Sequence, residues 1–181
     1  MKKIFLFTAF IAATSGSLLA QKKTTTSATV SFDATTPKDA LPKAENKTGI
    51  ASVDTKTGAV AFEAAVKNFS FSNPKIQEHF NGANWLNSDQ YPKFTYTGTI
   101  EKVDKIKFNK NGTYTVKVKG DLKIKDISKP LTVDAVFTVT DGKIKATTSF
   151  TIKLADYNIT GQPIEAGKIA TEPKVTVSAE F

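Results

Sequence analysis

The chain has no cysteine and no arginine, and only one histidine and one tryptophan among its 181 residues. Without cysteine there is no disulfide, no thiolate metal ligand and no lipid attached through an N-terminal thiol. Without arginine there are no bidentate guanidinium contacts, the usual means of gripping phosphates and bases, which argues against a nucleic-acid partner. His79 is the only histidine, so a Ser–His–Asp arrangement would have to be built on it, and nothing nearby resembles a nucleophile elbow. Glu78 and Asp89 lie close in sequence, but paired carboxylates are common by chance, and no Asp-rich calcium loop occurs. The chain reads as a non-enzyme, with no catalytic residue, no metal and no cofactor.

Long apolar runs are also scarce, and the single one lies at the start. Lys2 and Lys3 precede an apolar stretch from Ile4 to Ala13, followed by Ser15-Gly16-Ser17 and Leu18-Leu19-Ala20. This order of basic, apolar and small residues predicts a secretory signal peptide over residues 1–20, cut near Ala20, with the remainder periplasmic or secreted. The run is too short to span a bilayer as a mature helix. No second such run follows, so residues 21–181 read as one soluble domain. A domain of this size buries roughly 70% of its unfolded surface, enough for an ordinary core without disulfides.

The formal charge is +8, all of the basic side chains being lysine. Two readings stay open: a solvated lysine-rich surface, or transient attraction to an anionic membrane surface.

Beyond the leader the hydrophobic pattern has a period of two, the mark of strands with one buried and one wet face. It predicts strands over Ala28–Ala34, Ile50–Asp54, Gly58–Lys67, Phe94–Val103, Thr113–Lys125, Leu131–Val139, Lys143–Leu154 and Lys174–Phe181. Asn111-Gly112 and Asp141-Gly142 are hairpin signals; Ser128-Lys129-Pro130 reads as a turn, Asn158–Pro163 as a longer loop, and Pro37–Lys47 as a polar connector. One stretch departs from the pattern. Ile76, Phe80, Ala83 and Leu86 have helical spacing, with Asn73 as cap and Pro74 at the first helical position. This predicts one short helix over 74–86, between the third and fourth strands.

Antiparallel strands of this kind form either a barrel or a sandwich. Inward positions mix large groups with Ala64, Gly98, Gly120, Ala135 and Ala146. The small residues either leave room for a cavity or are filled by phenylalanine rings from opposite strands.

Three stretches in register resemble the YceI-like, or polyisoprenoid-binding, family. The first holds His79-Phe80, Asp89, Tyr91-Pro92 and Phe94. The second holds Gly120, Leu122, Ile124, Lys129 and Pro130, and the third Phe150, Ile152, Asp156, Tyr157 and Ile159. The likeness covers roughly residues 27–181. The first strand lacks the Trp and His of longer members, and Gln77-Glu78 stands where many carry Arg-Asp, as in a compact variant. The resemblance implies an all-β, eight-stranded antiparallel, lipocalin-like barrel with a cavity for a polyprenyl chain. It thus implies an exported carrier for a long apolar amphiphile such as a polyisoprenoid or quinone. The alternative is an envelope structural or interaction protein with a packed barrel and a basic surface. Cavity-lining positions expected from strand parity are Phe32, Phe62, Val66, Phe94, Tyr96, Val116, Val118, Leu122, Val133, Phe137, Phe150 and Ile152, with Phe80 from the helix. His79, Trp85 and Tyr91 are the expected portal. The sequence leaves the oligomeric state open, a homodimer included.

Overall fold

In a computed structural model, residues 21–181 are described; the expected leader, residues 1–20, lies outside them. Alternation produces nine strands: β1 (Lys22–Asp33), β2 (Lys43–Asp54), β3 (Ala59–Ala65), the two-residue β4 (Ser70–Phe71), β5 (Lys93–Ile100), β6 (Gly112–Ile124), β7 (Ile127–Thr140), β8 (Lys143–Thr151) and β9 (Lys174–Glu180). Each neighbour runs antiparallel in the order β1-β9-β8-β7-β6-β5-β3-β2, and β1 pairs back onto β2. Eight strands therefore close into a barrel, with β4 as an extra strand on β2. Closure leaves no bare sheet edge around most of the wall.

The expected helix is present as α1 (Pro74–Asn81), between the third and fourth barrel strands. The Asn73 side chain accepts from the Lys75 amide, and Pro74 occupies the first turn. It stops at Gly82, short of the expected 86, so Ala83 to Leu86 leave the helix as turns.

Four local expectations are corrected. The polar connector 37–47 is strand from Lys43 onward. Its inward positions are Ala44 and the fully buried Asn46, whose amide donates to the Ala65 carbonyl and whose Oδ1 accepts from Thr48. A satisfied asparagine there breaks the apolar alternation without breaking the strand. Strand β1 begins at Lys22, six residues earlier than expected, as a polar arm paired to β2 on one side. The turn between β6 and β7 is Lys125-Asp126, with Lys125 at φ +57°; Ser128 to Pro130 lie inside β7, Pro130 opposite Asp121. Asn111-Gly112 is not a two-residue hairpin. Its strands are joined by residues 101–111, and the Asn111 amide instead bonds Asp141 in the next turn. Asp141-Gly142 does form the predicted hairpin, at φ +51° and +79°.

The two barrel ends differ in construction. At one end the strands are joined by 55–58, 101–111 and 141–142; we call it the hairpin end. At the other, residues 34–42, 66–92 and 152–173 fold over the opening, with α1, the short helix α2 (Gln162–Glu165) and two 3-10 turns; we call it the capped end. The cap is tied down by backbone bonds from Val66 to Pro92, Ala170 to Ala34, and Ile152 to Pro173.

Candidate functional site

Side chains inside the barrel sort into two principal clusters. At the hairpin end Val53, Ile100, Ile106, Val116, Val118, Val133, Ala135, Phe137, Val139 and Ile144 pack into a solid core. Phe108 meets the Phe137 ring edge-on at 6.2 Å. At the capped end the rings do not fill the space. Phe32, Phe69 and Phe71 surround Phe80 with centroids 4.9–6.1 Å away, which fixes α1 to the barrel rim. Beneath this aromatic group lies a cavity of about 150 Å³, within about 980 Å³ of atom-free space counted outward to solvent.

Two polar groups on the lining are turned away from the cavity by hydrogen bonds of their own. The Tyr96 hydroxyl donates to the carbonyls of Val118 and Leu131, at 3.3 and 3.2 Å. The Thr148 hydroxyl donates to the Asp134 carbonyl at 2.8 Å. No polar atom of the lining is exposed to the space. Burial, and then the Asp121 charge, push the Tyr96 phenol up to about 12, so it stays a neutral donor. Tyr96, Leu131 and Phe150 touch both clusters and form the floor between the hollow half and the solid half.

Of the residues expected to line the cavity, Phe32, Phe62, Phe80, Phe94, Tyr96, Leu122, Val133, Phe150 and Ile152 do so. Val66, Val116, Val118 and Phe137 do not. Val66 is completely buried in the capped-end core, off the end of β3. The other three point inward as parity requires, but at the hairpin end, where the interior is full. Among the expected portal residues, Trp85 lines the cavity, whereas His79 on α1 is exposed and Tyr91 is half-buried beneath the Lys125 ammonium, 5.9 Å from its ring centre.

The small inward residues also divide. Ala64 lines the cavity, but Gly98 and Gly120 face each other across β5 and β6, where the strands nearly touch. A Cβ on Gly120 would stand 2.2 Å from the Thr97 carbonyl oxygen, and one on Gly98 would stand 3.0 Å from the Tyr96 hydroxyl. Their missing side chains make room for the phenol and for close strand approach. Ala135 and Ala146 belong to the solid end.

Sequence reasoning missed Val30, Ile124, Leu131, Val175 and Val177, which strict parity would have supplied. It also missed Phe69, Leu86, Leu154 and Ile159, which come from the cap. Leu154 opens a 3-10 turn over Leu154–Tyr157 and Ile159 follows it, where no period marks the buried face.

The model of the YceI-like domain matches residues 18–181. Among solved structures, the chain is similar to a polyisoprenoid binding domain from Saccharophagus degradans implicated in plant cell wall breakdown, with a TM-score of 0.74 at 12% identity over 88% of this chain and 97% of that one. It is also similar to Burkholderia cenocepacia BcnA (TM-score 0.70, 17% identity, 85% and 96% coverage). A third likeness is to the Campylobacter jejuni YCEI protein (TM-score 0.55, 19% identity, 74% and 80% coverage). At these identities the likeness is one of fold. No curated protein sequence matches the chain.

Proposed function

Because the chain belongs to the YceI-like domain family, we propose that it is an exported binding protein that carries the hydrocarbon tail of a long amphiphile in the capped half of its barrel. The observation that carries this reading is the cavity with no polar atom exposed to it. A polyisoprenoid or quinone tail has no hydrogen-bonding group to satisfy, so such a lining loses nothing by holding it. A polar head has no partner inside and stays at the cap. This is the chemistry of a carrier rather than of an enzyme.

The cavity volume of about 150 Å³ is that of engineered apolar cavities that accept a benzene-sized group. We read this cavity as the seat of the tail's end, with the rest of the tail leaving past Trp85 at the cap. Burial contributes about 0.8 kcal/mol per methylene before entropy costs, or about fourfold in affinity per carbon until the space is full. The packed-barrel alternative describes the hairpin half alone.

The test is to purify the protein from its own source, extract it with organic solvent, and identify what is released by mass spectrometry. A stoichiometric polyprenyl or quinone species is the expected result. Ala64→Leu, which pushes a branched side chain into the cavity, should abolish uptake of added polyprenyl lipid while the fold persists. An empty extract, with no uptake by the native protein, would overturn the carrier reading. Intact mass of the purified protein tests export: the expected species begins near Gln21.

A further inference from the structure

The surface charge follows the same division as the interior. At the capped end, the joining segments 34–42, 66–92, 125–126 and 152–173 carry six lysines against seven carboxylates. At the hairpin end, segments 55–58, 101–111 and 141–142 carry five lysines against three carboxylates. The adjoining strand ends add Lys22, Lys23 and Lys143 with Asp54 and Glu180 at this end, and Lys43, Lys93 and Lys174 with Asp33 at the capped end, so the hairpin end stays the more positive of the two. Glu101 is paired with Lys119 on the barrel wall, while Asp104 and Asp141, the latter accepting from the neutral Asn111 amide, keep their charge among the more numerous lysines. None of the six ion pairs among the described residues uses a lysine of the hairpin-end segments.

Segment 101–111 is also held rigidly. Ile106 is buried in the solid core, Phe108 is edge-on to Phe137, and backbone bonds close the turns at Lys105 and Ile106. Lys102, Lys105, Lys107 and Lys110 therefore stand exposed on an anchored loop. Beside them a shallow depression is lined by Lys23, Thr55, Lys107, Phe108 and Gly142.

We propose that the hairpin end is a docking surface for an anionic lipid membrane, and that docking leaves the capped, hollow end facing away from the bilayer. Lysine suits this partner: a compact, strongly hydrated charge responds to a diffuse negative surface without needing a matched bidentate acceptor. The apolar side chains at this end are committed to the core, so attraction is electrostatic, reversible and screened by salt. The inference does not depend on the cavity being occupied.

The test uses vesicles of phosphatidylcholine with or without about 30% phosphatidylglycerol, whose negative surface potential supplies the attraction. The chain's one tryptophan, Trp85, sits at the cap and reports orientation. Expected are co-sedimentation with the anionic vesicles only, loss of it in high salt, and no quenching of Trp85 by brominated lipid. The quadruple variant K102Q/K105Q/K107Q/K110Q should lose binding by at least about tenfold, given the contribution of each lysine near such a surface. A charge-matched variant at the capped end, K75Q/K129Q/K153Q/K168Q, should keep it. Absence of vesicle binding, equal loss in both variants, quenching of Trp85, or retention on DNA without binding to vesicles would each overturn the proposal.

Discussion

The hairpin half and the capped half of the barrel share one set of strands and one alternation, yet one is solid and the other hollow. Strand β6 shows why. Its inward residues run Val116, Val118, Gly120, Leu122 and Ile124, and nothing in their chemistry separates the first two from the last two. The difference lies in what closes each end. At the hairpin end the joining segments send Ile106 and Phe108 inward against Phe137, and the side chains there form one buried cluster. At the capped end the chain folds over the opening as α1 and the 152–173 segment, and Phe80 is held by three neighbouring rings at the rim instead of descending into the barrel. A barrel of eight strands is at the size where either outcome is available, and the loops decide between them.

The sharpest way to break this comparison is to truncate one ring inside the solid half and one on the floor that borders the cavity. Phe137→Ala removes a ring that is 3% exposed in the solid end, and we expect it to cost about 3–5 kcal/mol in urea denaturation. Phe150→Ala, on the cavity floor, removes a half-buried ring that already borders empty space. Fewer packing contacts are lost there, so its cost should be clearly smaller. Equal costs would mean that the capped half is as tightly packed as the hairpin half.

This division also marks how far the sequence could be read. Antiparallel strands, the helix capped by Asn73-Pro74 and the Asp141-Gly142 hairpin were legible because each rests on a local rule: period two, a cap, a turn needing positive φ. Inward parity was legible too. Depth along the barrel was not. Parity gives Val118 and Leu122 the same standing, and only the closed topology puts one in the solid core and the other on the cavity wall. Cap residues such as Phe69 and Ile159 escaped because irregular backbone carries no period. The start of β2 escaped because its inward position at Asn46 is polar and satisfied by the Ala65 carbonyl.

A second, smaller perturbation acts at the boundary between the halves. Gly120→Ala places a methyl group where the Thr97 carbonyl and the Gly98 Cα already stand, 2.2 and 2.6 Å from the ideal Cβ position. Backbone atoms cannot rotate aside as a side-chain tip can, so β5 and β6 must separate locally. The expected cost is about 1–3 kcal/mol, typical of overpacking. Hydrogen exchange should localise the loosening to the amides of Thr97 to Lys119 across the β5–β6 pairing. If the exchange pattern is unchanged, the close approach of these strands is not what requires glycine.

The smallest expected effect concerns Tyr96, which joins the two halves by bonding the carbonyls of Val118 and Leu131. Tyr96→Phe should cost about 1 kcal/mol at neutral pH, the worth of an ordinary hydrogen bond whose acceptors keep their strand partners. Its distinguishing signature is in alkali. Burial raises the phenol from its ordinary 10.0 to about 12 in the folded protein. Between these values the unfolded chain releases the proton while the folded one retains it. The stabilisation is therefore complete below pH 10 and declines as pH rises toward 12. Tyr157, raised in the same direction by burial and then by Asp156, adds to the decline and remains in the variant. Denaturation midpoints of the native protein and Tyr96→Phe should thus converge as pH climbs through this window. Parallel curves would show that the Tyr96 hydroxyl is exposed to water in the folded state, and that the floor between the halves is not sealed there.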